Sequence, residues 1–199
     1  AICSGTGSKA IDRKGHAGKQ GAVAAVLRAL TTFSGEAAVS REACRAFAQL
    51  THSHGHSSKD SDAGAVNRRE LAKAGGLEIV LEAMTTHEDE DEVQEQCALV
   101  LAHLCHGTDI VGLDRKQAAA DAGAISMIVQ ALEKFTDSID TVAACCLAIS
   151  TICTGSDEDG LERKQIAAEQ QAIEQRLAAL DLKSHEAGGQ QNCQIYSVT

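Results

Sequence analysis

Proline and tryptophan are both missing from these 199 residues, and aromatic side chains make up only 2% of them. Without proline no ring forces a helix to break, so the punctuation has to come from other residues. With three Phe and one Tyr, the interior cannot be built around large rings. An interior of Ala, Leu, Ile, Val and Cys suits closely packed helices better than sheets. No apolar stretch is long and uninterrupted enough to cross a bilayer. Basic charge is scarce as well. Eighteen Lys and Arg stand against 28 Asp and Glu, a net charge of −10, which argues against binding nucleic acid by counterion release.

What the chain does have is a repeat. Gly112-Leu113-Asp114-Arg115-Lys116-Gln117 returns as Gly160-Leu161-Glu162-Arg163-Lys164-Gln165, a shift of 160 − 112 = 48 residues. Moving back by 48 gives Gly64-Ala65-Val66-Asn67-Arg68-Arg69, and a further 54 reaches Asp12-Arg13-Lys14. Self-similarity at this period marks stacked supersecondary units that share a continuous core and carry function on an extended surface. The opening Ile2-Cys3-Ser4-Gly5-Thr6 matches Ile152-Cys153-Thr154-Gly155-Ser156 at a shift of 150, which equals 54 + 48 + 48. The expectation is a chain that opens on the end of a preceding repeat (residues 1–11) and belongs to a longer array. Three units follow at 12–66, 67–113 and 114–161, then a partial capping unit at 162–183 and a Gly/Gln/Asn-rich tail at 184–199.

The third unit predicts three helices. Asp114 is read as the N-cap of a short helix through Ala122, ended by Gly123. Ile125, Ile128, Val129 and Leu132 then form an i, i+3, i+4, i+7 stripe. Thr136-Asp137-Ser138 interrupts the pattern and offers a cap. Val142, Cys145, Cys146, Ile149, Ile152 and Cys153 continue at helical spacing until Gly155. The recurring Arg13, Lys14, Arg68, Arg69, Arg115, Lys116, Arg163 and Lys164 fall in first helical turns beside Asp12, Asp114 and Glu162, so they do not require a nucleic-acid stripe. Cys44, Cys97, Cys145, Cys146 and Cys153 fall on apolar helix faces, where free Cys packs as a small hydrophobe. That usage predicts a reducing compartment, cytoplasm or organelle interior, and no disulfide framework.

Arg115-Lys116-Gln117 through Asp121-Ala122-Gly123-Ala124-Ile125, followed by Leu-rich helices and present in three registers, resembles the armadillo repeat family. HEAT repeats are the nearest competitor; the three-helix count and the Ala-Gly-Ala-Ile elbow favour armadillo. The resemblance implies an all-α, right-handed superhelical solenoid. It also implies a groove along successive third helices, where armadillo proteins that bind extended peptides carry a Trp and an Asn. Those positions map onto Arg45 and Gln49, Leu99 and His103, and Leu147 and Thr151. The Trp-Asn ladder of nuclear-import adaptors is therefore absent, and recognition of basic import signals does not carry over. The six residues remain the candidate partner-binding groove.

His52-Ser53-His54-Gly55-His56, followed by Asp60 and Asp62, has the donor types of a transition-metal site. It lies in a polar loop six residues longer than its counterparts (54 − 48), and is read as a loop rather than a metal site. The run His87-Glu88-Asp89-Glu90-Asp91-Glu92 is read as a solvated turn opening a third helix. There is no phosphate loop, nucleophile elbow or His-Glu metal helix. The expectation is a non-catalytic protein-interaction module with no cofactor, acting as scaffold or adaptor for a protein partner. The alternative is a permanent accessory subunit docked on a large assembly, an organellar or membrane-associated complex included. A metal or redox sensor ranks third.

Overall fold

A computed structural model describes residues 8–52 and 63–169. The expectations for Ile2 to Thr6, for His54, His56, Asp60 and Asp62, and for the segment after Glu169 lie outside the described residues. Those described form ten α-helices and no strand: α1 (Ser8–Lys19), α2 (Ala22–Thr32), α3 (Ala37–Thr51), α4 (Ala63–Lys73), α5 (Gly76–Thr86), α6 (Asp91–Leu104), α7 (Ile110–Asp121), α8 (Ala124–Lys134), α9 (Ile139–Ile152) and α10 (Glu158–Glu169). The all-helical class anticipated from the aliphatic composition is the one observed.

Three helices make one unit, and glycine punctuates it where proline is absent. Gly21, Gly75 and Gly123 sit at the elbow between the first and second helices with φ of 79°, 76° and 80°. This left-handed conformation costs glycine nothing and costs other residues a Cβ clash. The second elbow uses extended backbone instead, at Glu36, Glu90 and Ser138, each preceding a third helix.

The first helix of each unit begins earlier than Asp114 suggested. Asp109 is the N-cap of α7, and its side chain accepts a hydrogen bond from the Gly112 amide at 2.9 Å. Asp157 does the same for Gly160, also at 2.9 Å. Asp114 therefore lies inside α7, and the unit boundaries at 66/67, 113/114 and 161/162 fall within α4, α7 and α10. The repeated glycine has its own cause. A Cβ on Gly112 would stand 2.7 Å from the carbonyl carbon of Gly107 and 2.9 Å from Asp109 Oδ1. Gly112→Ala must displace backbone, and is expected to cost about 1–2 kcal/mol in urea unfolding although alanine is the better helix former.

Equivalent helices are neighbours. α6 packs against α3 on one side and α9 on the other; α1 packs on α4, and α10 touches α7 and α8. Second helices lie on their own third helices, α2 on α3, α5 on α6 and α8 on α9. A single apolar cluster runs through all of these, from Val23 and Leu30 through Phe47, Val80, Leu101 and Ile125 to Ile149 and Ala167. The description is that of a repetitive helical array with one continuous core.

His87 departs from the solvated-turn expectation. It is only 7% exposed, and its Nε2–H donates to the Ser34 carbonyl at 2.7 Å, with Ser40 Oγ 3.0 Å away. The Gln94 amide donates to the His87 carbonyl and to that of Met84. The acidic residues after it do stay at the surface, but His87 itself ties the second elbow of one unit to the preceding unit.

Candidate functional site

Register between the third helices is set by pairs that reach from one to the next. Arg41 on α3 forms an ion pair with Glu92 on α6, and the Thr141 hydroxyl on α9 donates to Asp91 on α6. Deeper in, the sulfurs of Cys44 and Cys97 lie 3.4 Å apart across the α3–α6 contact. With register held this way, the six residues anticipated as a groove recur one turn apart on each third helix, at 45 and 49, 99 and 103, and 147 and 151 (99 − 45 = 54; 147 − 99 = 48).

Their surroundings differ. Arg45 is exposed and ion-paired with Glu42 one turn earlier, and Gln49 is exposed. Leu99 is half-buried and packs on the core cluster, whereas Leu147 is 46% exposed. Thr151 uses its hydroxyl on the Leu147 carbonyl at 2.8 Å. His103 lies within hydrogen-bonding distance of Thr51 and His52, both from the end of α3. The described set therefore joins one apolar platform, Leu99 and Leu147, to a polar end of mixed character. Toward the N-terminal ends of α6 and α9 the surface turns acidic. Burial, reinforced by Asp140, Asp91 and Glu92, pushes the Glu95 carboxyl above its ordinary range.

The recurring basic residues do not form a surface stripe. Lys14, Arg68, Lys116 and Arg163 are 1–6% exposed, and they hold the carboxyl ends of the third helices. Asn67, Arg115 and Arg163, spaced by 48, donate to the carbonyls of Leu50, Leu104 and Ile152 respectively. Arg115 and Arg163 reach further, to His106 and Thr154. Arg68 donates to the Thr51 carbonyl at 2.7 Å and Lys116 to that of Gly107 at 2.7 Å. The last turn of a helix leaves carbonyls without partners and carries the negative end of the dipole, so a cation there serves both needs. Burial lowers the affinity of Lys116 and Arg115 for their protons. The available sequence signal was the fixed interval of 11 residues between Leu104 and Arg115 and between Ile152 and Arg163 (115 − 104; 163 − 152).

Four titratable groups in and near this face, Cys97, Cys105, Cys145 and His103, are held in their neutral forms. Desolvation pushes the thiols of Cys105 and Cys145 up to about 12; both stay protonated at neutral pH and are poor nucleophiles. Cys97 is raised well above its ordinary value, first by its contact with Cys44 and then by burial. Burial lowers His103 to about 4, with the charges of His52, Arg68 and His106 acting in the same direction and the Ala48 carbonyl opposing them. The unfolded chain binds the proton near 6.5, so between 6.5 and about 4 it holds more protons than the folded one, and stability falls as pH drops through that window. We expect a loss of about 3 kcal/mol by pH 4 relative to His103→Gln, read from urea midpoints at matched pH.

Among the described residues no three potential metal ligands come together, and no helix is long and apolar enough to cross a membrane. No protein-family model, curated protein or solved structure matches the chain.

Proposed function

We propose that this chain is an armadillo-like α-solenoid that acts as a non-catalytic scaffold, binding a protein or peptide partner along the face formed by α3, α6 and α9. The observation that carries the reading is the adjacency of the third helices in fixed register. It sets the exposed Leu147 and the half-buried Leu99 in line between polar ends. A rigid row of equivalent positions suits an extended partner, because each repeat meets the next segment of it at the same offset. The mixed chemistry of Arg45, Gln49, His103 and Thr151 supports a partner other than the basic segments taken by nuclear-import adaptors.

A second reading, a permanent subunit of a larger assembly docked through the opposite ends of the units, draws on a different observation. Ile110, Val111 and Leu161, at the starts of α7 and α10, are 46–78% exposed. Large side chains left in water at loop ends suit an interface rim.

Leu147→Asp separates the two. Under the first reading it weakens the partner by about 30-fold or more, as loss of an apolar anchor does, while far-UV circular dichroism is unchanged because Leu147 is half in water already. Leu99→Asp is the stronger variant and needs the same folding control, since Leu99 touches the core. Undiminished binding by folded Leu147→Asp, with loss in Ile110→Asp, favours the docked subunit.

A further inference from the structure

We propose that His52 and His103 form a binding site for a borderline divalent transition ion, of the class of Cu²⁺, Ni²⁺ and Zn²⁺, that ties the end of α3 to the end of α6. Thr51, at the end of α3, is fully buried. Its hydroxyl donates to the Phe47 carbonyl at 2.7 Å, so toward His103 it can only accept. It stands 3.4 Å from His103 Nδ1. That nitrogen therefore carries the hydrogen, and the lone pair of Nε2 is turned outward.

It is turned toward His52 Nδ1, 3.2 Å away. Without a metal, the His52 Nδ1 hydrogen fills the gap between the two nitrogens. A metal would lie beside that line, about 2.0–2.1 Å from each nitrogen, once the two rings turn toward it. Two imidazole nitrogens at about 2.0–2.1 Å from one ion are separated by roughly 2.9 Å at a right angle and roughly 3.3 Å at the tetrahedral angle, so the donors have little distance to travel. Binding requires His52 to carry its hydrogen on Nε2 instead of Nδ1. No net proton is released, and the remaining coordination positions go to water. The rings are already tilted by 58° with centroids 5.0 Å apart, which keeps the donors clear of face-to-face stacking.

Orientation of a ligating imidazole by a hydrogen bond on its other nitrogen is the usual companion of a metal site, and Thr51 supplies it from the helix that also carries His52. The opposing influence is charge. Arg68 holds the Thr51 carbonyl and its guanidinium repels a cation, so the site favours the ion with the greatest intrinsic affinity for imidazole, Cu²⁺ ahead of Ni²⁺ and Zn²⁺. This inference does not depend on the partner-binding reading, because its donors and their geometry stand without a partner.

The test is isothermal titration of the untagged, chelator-treated full chain with CuCl₂, NiCl₂ or ZnCl₂ in turn. The expected result is one ion per chain at micromolar affinity, strongest for copper. His103→Gln and His52→Gln each weaken it at least tenfold, and Thr51→Val, which keeps the shape but loses the hydroxyl, weakens it 10–100-fold. His54→Gln/His56→Gln leaves it unchanged. Circular dichroism checks each fold, and His52→Gln, changed at the helix cap, stands if a more buried variant does not fold. Binding lost in the His54/His56 variant, binding retained in His52→Gln, or no heat with any of the three ions at 100 µM would each overturn the proposal.

Discussion

Arg163→Met is expected to lower the unfolding free energy by about 3 kcal/mol, the cost of leaving the buried Ile152 carbonyl without a donor and of losing two partly buried hydrogen bonds. Arg163 is 1% exposed. Its Nε donates to Ile152 at 2.9 Å, its Nη2 to Thr154 at 3.3 Å and its Nη1 to Gln117 Oε1 at 2.6 Å. The first acceptor is the last carbonyl of α9, the second lies two residues beyond it and the third belongs to α7, so one guanidinium on α10 closes α9 and ties it to α7. Methionine fills similar volume without donors, so the loss reports hydrogen bonding rather than a cavity. Arg163→Lys should recover only part of it, because one ammonium cannot address three acceptors arranged around a planar fork. Because neighbouring units contribute to stability roughly as separate terms, amide exchange should rise mainly in α9 and α10. Uniform exchange throughout would contradict that.

Phe47→Ala should cost more, about 3–5 kcal/mol, from lost burial and the cavity left behind. Phe47 is fully buried in the α3–α6 contact region and belongs to the core cluster, while Phe33 is 53% exposed. The repeat adds a sharper expectation. Shifts of 54 and 48 place Leu101 and Ile149 at the same position in the next two units, both also buried. The architecture accommodates an aliphatic side chain there, so Phe47→Leu should cost less than half as much as Phe47→Ala. Equal losses in urea denaturation would mean that the first unit has adapted specifically to the ring.

These two side chains also mark what could be read from the residues. Ile149, which shares its repeat position with Phe47 and Leu101, was legible because helical periodicity reports which face is apolar, and burial follows directly from that. Gly123 was legible as the end of a helix, and Gly21 and Gly75 hold the same place at the other elbows, where only glycine takes positive φ without strain. The role of the basic residues was not. Charged side chains at the start of a helix look solvated in a one-dimensional reading, yet Arg163 and Lys116 fold back over the end of the preceding helix, a contact that depends on how three helices meet. The same gap misplaced the start of α7. Asp114 and Asp109 both precede helix-forming residues, and only the Gly112 amide in space selects Asp109. His87 was hidden inside an acidic run whose other members are at the surface. Of the candidate face, the positions were legible from the repeat register. The unequal burial of Leu99 and Leu147 was not, because it depends on neighbours from adjacent units.

The most direct test of the central claim, that the partner lies along α3, α6 and α9, is site-specific photo-crosslinking in the native full-length protein. A benzophenone side chain is placed in turn at Gln49, Leu147, Ile110 and Glu158, and adducts are identified by mass spectrometry. The expected result is one partner captured from both Gln49 and Leu147, with two separate segments of that partner joined to α3 and to α9. Capture from Ile110 and Glu158 alone, with Gln49 and Leu147 silent, would contradict it and assign the contacts to the opposite ends of the units.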